Sequence, residues 1–329
     1  NLLDLAPGAA HRGRMDPPVP ILVITGQTAT GKEHLALAVA VRLGGEIISA
    51  DSMKVYRGMN IGTAKAPPED RRAAPHHLID VAEPDETFST ARWMDLADAA
   101  IADIDARGRA PIVSGGTALY LKALLEGLFE GPAADAETRA RLRAEAERRG
   151  SAALHARLAE VDPDAARRIH PNDLRRIVRA LEVWEATGSP ISALQTQWGS
   201  RRRRYRPLMV AIRRAPDDLD RRIEARVRRM VDAGLLEEVR RLAARPGGLA
   251  HGPRQALGYA EAIEHLEGRM TWPEAIEAIV LHTRQFARAQ LKWFRRFEKL
   301  HWLDAEADAT TGELADRVED LWRAHLAAP

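Results

Sequence analysis

The feature that most constrains the fold is a short glycine-containing loop, Gly26-Gln-Thr-Ala-Thr-Gly-Lys32. It follows an apolar run over residues 20–25 and opens a helical pattern over residues 33–43. In a loop of this kind, backbone N–H groups and the positive end of the following helix surround phosphate oxygens, and the lysine neutralises them. The loop therefore predicts a phosphate site at the carboxyl end of a strand.

The residue after this loop departs from the usual pattern. A Ser or Thr hydroxyl normally binds Mg²⁺ at this position, whereas this chain has Glu33. A carboxylate can bind Mg²⁺, which makes Glu33 the candidate metal ligand. Alternatively, its charge only favours the positive end of the helix dipole. No clear apolar strand ends in the metal-binding aspartate of a kinase, and Asp51 and Asp80 are the only candidates for it.

Apolar runs that alternate with helical patterns indicate the fold class. Runs over 20–25, 45–49, 77–80 and 111–114 alternate with helical stretches, which is typical of βαβ units and a parallel sheet. From Ala134 to about Trp198 only helical patterns occur, and a further strand over 206–212 precedes several long helices. We predict an α/β fold: a P-loop NTPase-like parallel sheet core with a helical insertion domain and a helical C-terminal part.

The same patterns predict the domain boundaries. Residues 1–19 are expected to be a disordered N-terminal extension, within which Met15 is the expected natural start. Residues 20–133 form the first part of the core, residues 134–200 the insertion, and residues 201–329 complete the core with basic helices.

Composition excludes several classes of protein. The sequence contains no run of eighteen or more apolar residues, which excludes a membrane-spanning helix. The absence of cysteine rules out disulfides, thiolate zinc sites and a cysteine nucleophile. The net charge is only +2, but residues 201–300 hold 23 Lys and Arg against 13 Asp and Glu. This basic segment suggests a polyanionic partner, although solvated faces of arginine-rich helices would produce the same count.

A series of short motifs runs along the chain in a specific order. Their residues are Gly-x-Thr-Ala-x-Gly-Lys at 26–32, Asp51-Ser52-Met53, 56–59, 61–65, Gly115-Gly116-Thr117, 170–173, 176–182, Gly258-Tyr259 and 283–285. Over roughly residues 20–303 the chain closely resembles the tRNA dimethylallyltransferases, the bacterial tRNA isopentenyltransferases. The resemblance implies a P-loop fold that binds dimethylallyl diphosphate in place of ATP. It also implies transfer of the prenyl group to N6 of the adenosine 3′ of the anticodon.

The resemblance implies a role for each matching residue of the reaction site. Asp51 would accept a proton from N6, Thr117 would face the reacting groups, and Lys32 and Arg226 would bind the diphosphate, with Arg222 as a weaker choice. A strand-end cap is the alternative role for Asp51, and a helix N-cap is that for Thr117. The predicted diphosphate loop is Gly26, Gln27, Thr28, Ala29, Thr30, Gly31, Lys32 and Glu33.

The resemblance also implies contacts with tRNA, including a role for the insertion domain. The predicted residues are Asp51, Ser52, Met53, Lys54, Thr117, Arg139, Arg175, Arg176, Ile177, Val178, Arg179, Arg254, Gln255, Gly258, Tyr259, Arg284 and Arg288. Lys54 stands where we expect Gln, and Ala289 and Lys292 replace an expected Arg and Thr. Arg284, Arg288, Lys292 and Arg295 form a cationic stripe at helical spacing, suited to phosphates, although each could be only a solvated surface residue.

The expected partners are the tRNA anticodon stem-loop and dimethylallyl diphosphate, with Mg²⁺ as cofactor. We expect a cytoplasmic monomer with no membrane partner. Two alternatives remain open. One is a P-loop kinase of a small molecule or nucleotide. The other is a tRNA-binding protein with weakened catalysis, which the departures at Glu33 and Lys54 would explain.

Overall fold

The computed structural model describes residues 18–128, 131–132, 135–195 and 204–328, which belong to two compact units. One unit comprises Asn1–Leu125 and Arg204–Pro329, and the other is Glu126–Arg203, against predicted insertion limits of 134 and 200. The predicted N-terminal extension reaches too far into the fold. Val19 is buried, and its carbonyl accepts a hydrogen bond from the N–H of Arg206 (2.9 Å). Residues 1–14, which precede the expected start at Met15, lie outside the described part.

The first unit is built on a parallel sheet, which confirms the predicted fold class. Its strands are β1 (Pro20–Gly26), β2 (Glu46–Ser49), β3 (His76–His77), β4 (Pro111–Ser114), β5 (Arg206–Arg213) and β6 (Leu300–Asp304). They pair in the order β3-β2-β4-β1-β5-β6, and every pair is parallel. β3 is shorter than the predicted 77–80 because Leu78 and Asp80 have positive φ (61° and 58°), which an extended strand does not allow.

Helices cover both faces of this sheet. They are α1 (Lys32–Leu43), α2 (Pro68–Ala73), α3 (Thr90–Ala106), α4 (Ala118–Glu126), α10 (Pro216–Asp232), α11 (Leu235–Ala243), α12 (His251–Arg254), α13 (Tyr259–Leu266), α14 (Trp272–Phe294) and α15 (Thr311–Ala327). Alternate residues of β1 point to opposite faces, so Ile21 and Val23 enter one apolar core and Leu22 and Ile24 the other. All four side chains are fully buried.

The strand order positions the phosphate loop. β1 lies between β4 and β5, so the connection that leaves β1 and the one that leaves β4 diverge at the carboxyl edge of the sheet. Ligands of parallel α/β sheets bind in the crevice at such a reversal of strand order. The ends of β1, β2 and β4 carry Gly26, Asp51 and Gly115 to this edge.

Helices are the regular secondary structure of the second unit within its described residues. It contains α5 (Ala136–Arg149), α6 (Ser151–Val161), α7 (Pro163–Arg168), α8 (Leu174–Thr187) and α9 (Ile191–Leu194). Leu142, Leu158 and Leu181 are among the residues of its own apolar core. In neither unit is any described helix long and apolar enough to cross a bilayer.

Candidate active site at the carboxyl edge of the sheet

The loop between β1 and α1 is held in shape by side chains from elsewhere in the fold. Gly31 ends the loop in the left-handed region (φ 96°), which favours glycine. The Arg222 guanidinium donates to the carbonyl of Ala29 (2.9 Å), and the Arg214 guanidinium donates to that of Thr30 (3.0 Å). Arg222 therefore supports the loop by binding the carbonyl of Ala29, and its role as a weaker diphosphate ligand stays a prediction.

Gln290 of α14 connects this loop to the end of β4, a role that no motif in the sequence predicted. Its side-chain oxygen accepts from the N–H of Thr28 (2.8 Å), and its side-chain nitrogen donates to the carbonyl of Gly116 (3.0 Å). A methyl group on Gly116 would lie 2.4 Å from that nitrogen, so only glycine allows this approach. The available signal was a polar residue on the face of α14 that carries the buried Ala287 and Phe294.

Lys32 lies at the bottom of the site and is only 7% exposed. Burial is the main cause that lowers the pKa of its ammonium, the nearby charges of Lys54 and Arg226 act in the same direction, and the resulting pKa is about 8. The carboxylates of Glu33 and Asp51 act in the opposite direction. A buried cation with a lowered pKa gains stabilisation from an anion that binds beside it.

The loops that follow β2 and β4 pack directly against each other. Ser52 donates its N–H to the Thr117 hydroxyl (3.0 Å), and the N–H of Thr117 donates to the carbonyl of Ala50 (3.1 Å). A methyl group on Gly115 would lie 2.2 Å from that carbonyl oxygen, so this close contact requires glycine. The packing brings the Thr117 hydroxyl to the segment that carries Asp51.

One carboxylate oxygen of Asp51 is hydrogen-bonded within its own loop. Its Oδ1 accepts hydrogen bonds from the N–H groups of Met53 (2.9 Å) and Lys54 (3.4 Å). The alternative role as a cap at the strand end is thus present, but it uses only this oxygen. Arg226 of α10 lies close enough for its charge to interact with Asp51, although burial lowers the pKa of the guanidinium.

Glu33 and Lys54, the two departures from the expected motifs, contact each other. The Lys54 ammonium lies 3.2 Å from a Glu33 carboxylate oxygen, and the two side chains are 4% and 37% exposed. Burial alone would raise the pKa of Glu33, but the charges of Lys54 and Lys32 outweigh it and lower the pKa to about 2. Glu33 is therefore an ionised carboxylate already paired with a cation.

This pairing bears on the predicted Mg²⁺ ligand. The hydroxyl expected after the loop lysine is absent, and the carboxylate that replaces it is engaged by Lys54. The described residues contain no group of three His, Asp or Glu that could hold a metal ion. Asp80 is bound by Lys65 (2.7 Å) and Arg71 (3.0 Å). The residues present thus do not fit a protein-held Mg²⁺ at this position of the loop.

Tyr259, predicted to contact tRNA, is fully buried in the first unit. Its hydroxyl donates to Glu238, which is 1% exposed and also accepts the N–H groups of Asn60, Ile61 and Gly62. The prediction of direct RNA contact is corrected for Tyr259, since a side chain without accessible surface cannot contact a partner. Tyr259 positions the loop over 51–65 through Glu238, and no motif in the sequence predicted this role of Glu238.

The predicted basic residues in the last part of the chain differ in their surroundings. Arg284 forms an ion pair with Glu224 and lies 3.4 Å from Asp220, and Arg254 forms an ion pair with Glu267. Arg288, Lys292 and Arg295 are exposed on or just after α14, and within the described part of the chain no carboxylate pairs with them. Gln255 is exposed, whereas Gly258 is buried at the start of α13.

In the helical unit, the predicted tRNA residues fall into three groups. Arg139 and Arg179 both bind the buried carboxylate of Glu182, at 2.9 and 2.7 Å, which fixes the two guanidinium groups. Arg175 and Arg176 are exposed at the start of α8. The side chains of Ile177 and Val178 lie in the core of this unit and are corrected to packing roles. Ile177 is 0% exposed and Val178 is 3% exposed.

The fold and this site define a P-loop α/β protein in which the loop after β1, the predicted phosphate cradle, lies beside an aspartate and a threonine hydroxyl. The family model described as IPP transferase matches residues 54–297, and the chain belongs to this family. It is 52% identical over 299 residues to the tRNA dimethylallyltransferase of Anaeromyxobacter dehalogenans (strain 2CP-C), covering 91% of this chain and 99% of that protein.

Two solved structures are similar to the chain. The full-length tRNA isopentenylpyrophosphate transferase of Bacillus halodurans is 38% identical, with a TM-score of 0.68 over 93% of this chain and 97% of that one. A eukaryotic dimethylallyltransferase described as acting on tRNA is 26% identical, with a TM-score of 0.78 over 93% of this chain and 80% of that one.

Proposed function

We propose that this protein transfers the dimethylallyl group from dimethylallyl diphosphate to N6 of the adenosine 3′ of the anticodon in tRNA. The observation that carries the proposal is the convergence of Lys32, Arg226, Asp51 and Thr117 at one edge of the sheet. The charges of Lys32, Arg226 and Asp51 influence one another there, and Thr117 is bonded to the residue after Asp51. The names of the relatives support the same activity.

The reaction needs positive charge that stabilises the departing diphosphate. A bond forms between N6 and the allylic carbon, the bond from that carbon to oxygen breaks, and its electron pair leaves with the diphosphate. Negative charge grows on the departing oxygen, where buried cations stabilise it more strongly than water-exposed ones would. Lys32 and Arg226 supply these cations in the proposal.

The nucleophile needs help because the N6 lone pair is delocalised into the adenine ring. We assign proton acceptance from N6 to the carboxylate of Asp51, whose second oxygen is not used by the loop bonds to Met53 and Lys54. Thr117 keeps the loop after β2 in place through Ser52. The target base must leave its stack to reach this edge, so a flipped adenosine is part of the proposal.

The proposal includes Mg²⁺ as an ion that arrives with the diphosphate. Mg²⁺ commonly keeps several water molecules and binds substrate phosphates with few protein ligands, and here it would neutralise part of the diphosphate charge. None of the steps assigned above to the side chains passes through the metal. We further propose that the protein works in the cytoplasm, where its tRNA substrate would be found, and that it works as a monomer.

The tRNA surface in the proposal rests on exposed cations. Arg175 and Arg176 are exposed in the helical unit, and Arg288 is exposed on α14 with Lys292 and Arg295 near it. Cations of this kind bind phosphates by displacing counterions. Arg139 and Arg179 remain in the proposal as guanidiniums held in place by Glu182.

The test is transfer of label from radioactive dimethylallyl diphosphate to an unmodified anticodon stem-loop. We expect N6-isopentenyladenosine in the nuclease digest by mass spectrometry, and none from a matched stem-loop with guanosine at the target position. ATP turnover with a small-molecule acceptor and no prenyl transfer would identify a kinase instead. Tight binding of the stem-loop without any transfer would identify a binding protein.

A further inference from the structure

The pair formed by Glu33 and Lys54 is an unusual feature of the cradle. Glu33 is the second residue of α1, directly after the loop lysine, and Lys54 comes from the loop after β2. The two residues are 21 positions apart in sequence, yet their charged groups lie 3.2 Å apart. Lys54 is 4% exposed, so its ammonium has exchanged most of its water for this contact.

The charges around the cradle show what the pair achieves. Lys32, Lys54 and Arg226 contribute three positive charges, and Asp51 and Glu33 contribute two negative ones. A neutral residue at both position 33 and position 54 would leave the same net charge of +1 in this group. A change at only one of them would shift the charge toward 0 or +2, beside a substrate that is itself a polyanion.

We propose that Glu33 and Lys54 act as one unit that sets the affinity of the cradle for diphosphate, with Lys54 cancelling the repulsion of Glu33 and neither residue binding the metal. This inference rests on the proposed diphosphate site. Lys54 is a positioning residue in this role: it acts through Glu33 and through the electrostatic potential at Lys32. The unit replaces the hydroxyl that P-loops normally direct at Mg²⁺.

The proposal predicts that the two single substitutions have different effects on diphosphate affinity and that the double substitution changes this affinity little. Lys54→Gln leaves an uncompensated carboxylate next to the diphosphate and weakens binding. Glu33→Gln removes the repulsion and leaves affinity equal or higher. The Glu33→Gln, Lys54→Gln double variant returns the net charge to +1, so it recovers most of the affinity lost in Lys54→Gln. Non-additivity of this kind is expected of two residues in direct contact.

The experiment is calorimetric titration of the full chain with inorganic pyrophosphate, first in EDTA and then in Mg²⁺. We expect Lys54→Gln to weaken binding about tenfold, which corresponds to about 1.4 kcal/mol, and the double variant to lie within about threefold of the parent. Glu33→Gln should leave unchanged the factor by which Mg²⁺ improves binding, because its carboxylate is held by Lys54.

Arg42→Gln is the matched control. It removes one positive charge from the same helix, about 13 Å away along its axis, where Arg42 pairs with Asp316 and Glu319. Its pyrophosphate affinity should stay within twofold of the parent. An equal loss in Arg42→Gln would overturn the proposal, since total charge alone would then explain the effect.

The remaining outcomes separate the inference from the function on which it rests. A double variant as weak as Lys54→Gln means that Lys54 acts without Glu33, and the inference fails while the diphosphate site stands. A loss of the Mg²⁺ effect in Glu33→Gln makes Glu33 a metal ligand, and again only the inference fails. A parent protein that binds neither pyrophosphate nor dimethylallyl diphosphate overturns both.

Discussion

The cations of the phosphate cradle and those predicted to bind tRNA are built differently. Lys32 and Lys54 are almost completely buried, and neighbouring carboxylates balance part of their charge. Arg176 of the helical unit has a side chain that is 61% exposed, and among the described residues its one acidic partner is Asp173 at 3.3 Å. A buried cation costs desolvation but binds strongly to one small anion in one place. An exposed cation binds weakly, and many together suit a long polyanion.

The carboxylates of the two regions differ in how completely hydrogen bonds and ion pairs engage them. Asp51 keeps one oxygen outside its loop contacts, at the edge of the sheet where chemistry is proposed. Glu182 is 1% exposed, and two arginines and the N–H of Asp135 engage it completely. Asp51 thus keeps one oxygen for the proposed proton transfer, whereas Glu182 holds guanidinium groups in a fixed position. The predictions that follow test this contrast.

The largest effect is expected at Asp51. Asp51→Ala should lower the rate of prenyl transfer by about 10² to 10⁴, because a general base of this kind contributes roughly that factor. Binding of the stem-loop, measured by fluorescence anisotropy, should change no more than a few-fold. A rate loss below about tenfold would show that another group accepts the proton.

Gln290→Ala should have the next largest effect. It leaves the N–H of Thr28 and the carbonyl of Gly116 without their partner, at a cost of about 1–3 kcal/mol for each group that stays dry. We expect affinity for dimethylallyl diphosphate to fall about tenfold or more in calorimetry. Glu277→Ala, at an exposed position on the same helix, is the control and should bind like the parent. Equal affinities in both variants would show that the clamp does not shape the cradle.

The lowered pKa of Lys32 predicts a pH dependence of anion binding. Its folded-state pKa of about 8 lies below its usual value of 10.5, so the ammonium loses its proton as the pH rises through 8. The anion binds the charged form better, so pyrophosphate affinity in EDTA should fall by up to about tenfold per pH unit above 8. Binding near pH 8 should also take up a proton, measurable in buffers of different ionisation enthalpy. Constant affinity from pH 7 to 9.5 would contradict this assignment.

The smallest effects belong to the exposed arginines. Arg288→Ala and Arg176→Ala should each weaken stem-loop binding a few-fold at moderate salt. Each should also reduce the slope of log K against log salt by about 0.9 for one lost phosphate contact. Arg323→Ala, exposed on α15, is the control and should leave the slope unchanged. Unchanged slopes in the two test variants would mean that these arginines are only solvated.

Several parts of the fold and of the site could be predicted because their signals are local. The loop from Gly26 to Lys32 is recognisable from consecutive residues, and the apolar runs that alternate with helical patterns identify the parallel sheet. The short strand β3 was predicted too long, because the backbone at Leu78 and Asp80 turns into the left-handed region without a glycine to indicate it. The role of Tyr259 was also mispredicted, because a motif residue can support a site from inside the core without contacting the partner.

The sequence by itself determined the loop from Gly26 to Lys32, the alternation of strands and helices and the family resemblance, since each depends on residues close together or in a set order. Only the tertiary structure decided that Gln290 meets the loop at Thr28, that Glu238 holds residues 60–62, and that Glu33 pairs with Lys54. These contacts join segments whose separation in sequence carries no information about their distance. They form because helices and loops pack around the sheet at particular angles, and polar groups buried by that packing require partners.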